Sequence, residues 1–123
     1  MDNEKTEFKR VFTQRLIKFS LMVIKICNRI RNDRNLVALA DQLIRSATSI
    51  GANVIEAKAS SSKREYIHYF EIALKSAYET HYWLILIRES QPETSANLAS
   101  IINEVDEIGK VLNSSILTLK GKK

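Results

Sequence analysis

Three groups of side chains occur at spacings that could do chemistry. Glu65 and His68 stand in the Glu-x-x-His order that carboxylate-bridged di-iron bundles use to place two ligands on one helix face. Such a centre needs the motif on two helices and further inward-facing glutamates, and only one copy is present. Ser62, three residues before Glu65, makes the glutamate a helix-capping partner instead. No metal or other cofactor is therefore expected. His81 has no Cys or Ser at a nucleophile's motif spacing, and the chain contains no P-loop, no GxGxxG and no paired-cysteine motif. These absences point away from an enzyme.

The second group is cationic. Lys18, Lys25 and Arg29, with Arg10 and Gln14 nearby, fall on the side of a helix opposite Phe8, Phe12 and Phe19. Such a stripe suits the phosphate backbone of RNA or DNA, in contacts that are weak for one subunit and strongly salt-dependent. Several copies in one assembly would add by multivalency. No aromatic residues are interleaved, so base stacking is not expected, and Glu7 on the same side dilutes the charge. The plainer reading is a solvated helix face. The third group is the polar ladder Arg45, Ser49, Asn53 and Glu56, which returns to one helix face at each step. It could reach a partner subunit or a ligand. It could equally form a network within the chain, for instance between Arg45 and Glu79, because Arg and a carboxylate make paired, directional bonds.

The elements that must position these groups are set by apolar spacing. Four series recur in steps of three and four. The first is Phe8, Phe12, Leu16, Phe19, Val23, Ile26 and Ile30, and it breaks at Arg31-Asn32, with Asp33 as a good N-cap for the second helix. Leu36, Leu39, Leu43, Ala47, Ile50 and Val54 form the second. The third is Tyr66, Tyr69, Phe70, Ala73, Ala77, Thr80, Leu84 and Ile87, and the fourth runs from Leu98 through Ile101, Ile102, Val105, Ile108, Leu112 and Ile116 to Leu119. Pro92 suits a first helical turn, capped by Ser90 or Thr94. The expected helices cover about 5–31, 33–59, 62–89 and 93–119. Links this short make consecutive helices antiparallel neighbours, so the expected fold is all-α, a single up-down-up-down four-helix bundle over residues 1–123.

Three of these helices carry a second apolar series. Helix 1 adds Ile17, Leu21 and Ile24, helix 2 adds Val37, Ile44, Gly51 and Ile55, and helix 3 adds Ile67, Leu74, Tyr78 and Ile85. Contiguous apolar surface is rare on soluble monomers, so helices 1 and 3 are expected to bury theirs in a homo-oligomer. On helix 2 the two series lie close enough to form one wide core stripe. Gly51 within a helix costs about 1 kcal/mol relative to Ala, which a close helix–helix approach would justify. Tyr82 and Trp83 either anchor an interface or pack the bundle's end.

Composition bounds the rest. The chain has 123 residues, 45% of them hydrophobic and 27% charged, which suits one globular domain. Three Gly and one Pro are too few for the turns of an all-β fold. No apolar run approaches the ~20 residues that span a bilayer, so no membrane partner is expected. A single cysteine, Cys27, and a charged N-terminus suit a cytoplasmic protein. The net charge is +5, and its whole excess lies in residues 1–31, where eight cations meet three carboxylates. Glu93, Glu104, Asp106 and Glu107 make the last quarter acidic ahead of its lysine tail, so the first and last segments could attract each other.

Two blocks carry a family likeness. Ser49-Ile50-Gly51-Ala52-Asn53 with Glu56-Ala57, and Ile72-Ala73-Leu74-Lys75 with Glu79-Thr80 and Tyr82-Trp83-Leu84, together resemble the bacterial four-helix bundle proteins encoded in intervening sequences of 23S ribosomal RNA genes, also labelled S23 ribosomal proteins. The resemblance implies a homopentamer of up-down bundles. It also implies a fold similar to the accessory protein of diversity-generating retroelements, which is thought to bind nucleic acid and a reverse transcriptase. The expected function is a non-enzymatic homo-oligomer that binds RNA or DNA backbone through its basic first helix, or else a scaffold whose partner is another protein.

Overall fold

The computed structural model describes residues 2–90 and 95–122. They form four helices, α1 (Asp2–Ile30), α2 (Val37–Lys58), α3 (Lys63–Ser90) and α4 (Ser95–Leu119), with a 3-10 turn at Arg34–Leu36 and no strand among the described residues. Side-chain pairs fix the directions. Lys58 at the end of α2 meets Thr13 inside α1, and Arg31 just past α1 meets Asp41 near the start of α2, so the two helices are antiparallel. Ser46 faces Thr80 and Ser49 faces Ser76, so α2 and α3 are antiparallel. Glu71 with Lys120 and His81 with Asp106 set α4 antiparallel to α3. The bundle is held most closely between α2 and α3, and least between α1 and α4.

Helix ends obey local chemistry. Asp33 does cap a helix, but a different one from that expected. Its carboxylate accepts from the Asn35 amide at 2.9 Å and starts the 3-10 turn, while α2 begins at Val37 with no side-chain cap. Ser62 accepts from the Glu65 amide at 3.1 Å, as its capping spacing predicts. The expected start of the last helix at residue 93, with Pro92 and Thr94, lies outside the described residues. Ser90 closes α3, its hydroxyl donating to the Ile87 carbonyl at 3.0 Å. At the far end Gly121 takes φ +70, which lets Lys122 donate to Leu117 and Gly121 to Thr118, a Schellman closure.

The core is built from the four expected series. Phe19, Val23, Leu43, Ile50, Leu84, Ile87, Ile101, Ile108 and Leu112 are all fully buried in one cluster. Cys27 is buried with them, its thiol donating to the Ala40 carbonyl at 3.4 Å, and burial pushes its pKa up. A neutral, enclosed thiol is an unreactive one. Phe8 departs from its series and is 53% exposed.

Gly51 was expected to serve a close approach of helices, which could lie within the subunit or between subunits. A Cβ built there would lie 3.6 Å from Leu16 Cβ, an ordinary contact, so α1 does not require glycine. Gly51→Ala is therefore expected to stabilise the subunit by about 1 kcal/mol through helix propensity. Denaturant unfolding at high dilution checks this, and a lower midpoint would contradict it.

Candidate functional site

The second apolar series sort differently from expectation. On α1, Ile17 is 51% and Leu21 54% exposed, and Ile24 is half-buried. On α2, Ile55 is 51% and Val37 38% exposed, and only Ile44 packs against the core. The wide core stripe expected on α2 is thus incorrect for Ile55 and Val37. On α3, Ile67, Leu74 and Ile85 pack half-buried on the subunit's own core, which corrects the separate outer face expected there; Tyr78 alone of that series is exposed. Helix angle explains the split. The α3 residues flank a helix wedged between α2 and α4, whereas Ile17, Leu21 and Ile55 border the outer seam of α1 and α2. Together with Leu16, Ser20, Thr48, Gly51 and Ala52 they line a shallow apolar groove of about 250 Å³.

The polar ladder also divides. Ser49 and Asn53 turn into the α2–α3 seam, where the Asn53 amide donates to the Ser49 carbonyl at 2.8 Å and the Ser76 and Ser49 hydroxyls lie 3.0 Å apart. One turn further along, the Thr80 hydroxyl, fully buried, lies 2.9 Å from Ser46 Oγ and 2.7 Å from the Ser76 carbonyl. These small hydroxyls let the two helices approach while every buried side-chain nitrogen and oxygen among the described residues keeps a partner. Sequence reading missed Ser46 and Ser76, whose only signal is their place beside the core series. Arg45 and Glu56 stay exposed. The Arg45–Glu79 pairing offered as one example of a network is not formed; Glu79 accepts from the Trp83 indole at 2.9 Å. Tyr82, edge-on to Trp83 at 5.2 Å, is exposed beside it.

The basic and acidic segments do meet. Arg15 of α1 grips Glu104 of α4 with two parallel bonds, 2.7 and 2.9 Å, across the least-packed seam of the bundle. The Arg15 guanidinium holds the Glu104 carboxyl below its ordinary value near 4.5, first by these bonds and then by charge, with Lys18 adding to it. A carboxyl lowered in the folded state adds stability above its unfolded pKa and loses it as pH falls through the folded value, so the acid-sensitive window lies below about pH 4.5. Glu104→Gln is expected to cost about 1 kcal/mol or less near neutral pH, because the pair is partly exposed, and to flatten the loss of stability in acid. Unfolding midpoints near neutral pH and near pH ~3 check this; an unchanged acid slope would contradict it.

Of the expected phosphate stripe, Arg10, Lys18, Lys25 and Arg29 are all exposed. Arg10 is bonded to Glu7, and Lys18 lies in the field of Glu104, so Lys25 and Arg29 carry most of the stripe's uncompensated charge. The topology builds a second cationic surface that the linear sequence hides. Lys5, Lys9 and Arg10 from α1, Lys58 from α2, Lys63 and Arg64 from α3, and Lys120 and Lys122 past α4 share the end where α1 and α3 begin. Glu4, Glu7, Glu65 and Glu71 oppose them, and Glu71 is bonded to Lys120 at 2.8 Å, which holds its carboxyl below the usual range. His68 and Glu65 are exposed at this end too. No three His, Cys, Asp or Glu side chains among the described residues come together to hold a metal ion, and no described helix is long and apolar enough to cross a membrane.

A four-helix bundle with an apolar outer seam and a cationic end is the class of molecule these features define. Residues 9–114 match the family of 23S rRNA-intervening sequence proteins, and the chain belongs to that family. Among solved structures it is similar to a protein of unknown function from the S23 ribosomal protein family of Bacteroides thetaiotaomicron VPI-5482, with 34% identity and a TM-score of 0.80, covering 85% of this chain and 97% of that one. No curated protein matches the chain.

Proposed function

We propose that the protein is a non-enzymatic scaffold of the cytoplasm that assembles from identical subunits, in a homopentamer, through the α1–α2 face. The observation that carries this reading is the exposed apolar strip of Ile17, Leu21 and Ile55 around a groove floored by Gly51 and Leu16. Soluble monomers rarely leave such a strip in water, and a glycine that the subunit's own packing does not need keeps the groove open to a partner helix. Sedimentation of the full chain tests it. A species of several 14.1 kDa subunits is expected, and a single-subunit mass at all concentrations would overturn it.

A second activity rests on the charge. The assembly binds RNA or DNA backbone through α1 and the cationic end, in contacts repeated once per subunit. Filter binding to generic RNA is expected to be strong at low salt and to fall steeply at moderate salt. An assembled protein that retains no RNA at low salt would favour the other scaffold reading, in which the partner is a protein. The bonds of Arg10 to Glu7 and of Lys120 to Glu71 already consume part of the cationic charge, which is the observation on that side.

A further inference from the structure

At the end where α1 and α3 begin, a cleft opens beside the core. The buried series of α4 runs Ile101, Val105, Ile108, Leu112 and Ile116, and beside Ile116 the helix turns Ser114, Ser115, Thr118 and Leu119 toward α1. Three of these four side chains are short and hydroxylated, so they fill little of the space on that side. The facing helix does not fill the space, since Phe8 remains 53% exposed. What results is a cleft of about 600 Å³, of the size that small ligands occupy. Its floor is the buried Phe12, Val54 and Phe70. Its walls are two aromatic stacks, Phe8 on Phe12 at 6.0 Å and Tyr66 on Phe70 at 4.9 Å. Three lysines stand at the mouth, Lys5, Lys9 and Lys58, against one carboxylate, Glu4. Lys9 Nζ sits 5.4 Å over the Tyr66 ring, so the charge lies directly above an apolar wall.

We propose that this cleft binds an organic anion with an aliphatic body, a medium-chain carboxylate, its chain between the Phe8 and Tyr66 rings and its carboxylate among Lys5, Lys9 and Lys58. Each part of the cleft selects for one part of that ligand. An aromatic floor and walls offer nothing to the hydroxyls of a sugar, which would lose their hydration without return. Three ammonium groups repel a cationic amphiphile and leave a neutral one without a partner for its head. The lysine stems line the entrance with methylenes while their heads remain in water, so the carboxylate need not be stripped of its hydration to pair. Burial pushes the half-buried Tyr66 phenol further above its ordinary pKa, so the wall beside the bound chain is uncharged. The cleft shares no lining residue with the α1–α2 groove, so this site stands apart from the assembly surface.

Calorimetric titration of the full chain with decanoate tests the site, with decanol and decyltrimethylammonium as controls. Saturable binding of decanoate is expected, about tenfold or more tighter than decanol, with no binding of the cation. Ser115→Leu extends a branched side chain into the cleft and is expected to abolish binding while the helical signal and melting temperature hold or rise. Phe8→Ala, at an exposed position, serves if that variant fails to fold, and about tenfold weaker binding is expected. Lys5→Glu with Lys9→Glu should weaken decanoate and leave decanol unchanged. Absent binding to the unaltered chain would overturn the proposal, as would equal affinity for decanol or undiminished binding in the filled and truncated variants. A fall in assembly mass on filling the cleft, without decanoate binding to the unaltered chain, would assign it to a contact between copies and likewise overturn the proposal.

Discussion

A Phe19→Asp chain is expected to lose its cooperative unfolding transition altogether. Phe19 is 1% exposed, at the middle of α1, and belongs to the one continuous cluster formed by all four helices. The substitution removes a large aromatic side chain, worth about 3–5 kcal/mol when truncated in a core. It also places a carboxylate in a buried apolar cluster, and burying an unpaired charge adds several kcal/mol more. The total matches or exceeds the ~5–15 kcal/mol by which a domain of this size is stable. Circular dichroism on heating shows the outcome. A sigmoidal melt with helical content near that of the unaltered chain would show that Phe19 does not lie where the structure places it.

Leu21→Asp, two residues away, is expected to do the opposite. Its side chain is 54% exposed on the outer seam, so the single subunit gains a solvated carboxylate and loses little packing, with a stability change within about 0.5 kcal/mol. In an assembly closed through the α1–α2 face, the same carboxylate is repeated at every contact and desolvated beside Ile17 and Ile55. Sedimentation is expected to show dissociation to folded single subunits. Unchanged mass would move the contact to another face, and loss of fold would move Leu21 into the core. The two aspartates form a matched pair: the same chemical insult, separated by roughly half a helical turn, distinguishes the face that holds one subunit together from the face that joins several.

Gly51→Ala refines that pair. Its methyl group has room against Leu16 and raises helix propensity, so the subunit gains stability. The same methyl rises from the floor of the groove that a neighbouring helix would enter. A more stable subunit that associates less well is the signature expected if the glycine serves the assembly rather than the fold.

Legibility depended on range. Series such as Leu43, Ala47, Ile50 and Val54 declare a helix and its buried side, because neighbours in sequence share one rigid element whose period is known. The Ser62 cap is legible for the same reason. Asp33 caps one element earlier than its spacing suggests, since a 3-10 turn and an α-helix begin with the same chemistry, and here the turn ends with Leu36 buried in the core. Ile67 and Ile55 depart from expectation in opposite senses. Each sits beside its helix's main stripe at a similar angle, yet Ile67 finds a neighbouring helix beside it and Ile55 finds solvent. That difference depends on which helices flank which, and no spacing within one helix encodes it.

By itself, then, the sequence determined four helices, their order, their antiparallel sense, the side each turns inward and the basic character of the first. All of these are properties of one helix or of two joined by a short link. The tertiary structure alone decided that Arg15 binds Glu104, that Ser46 and Ser49 face Thr80 and Ser76, and that lysines from opposite ends of the chain gather at one end of the bundle, where a cleft opens beside the core. Those are relations between residues far apart in the chain. Their proximity is set by how four whole surfaces interdigitate, and a packed interior settles such pairings jointly rather than one helix at a time.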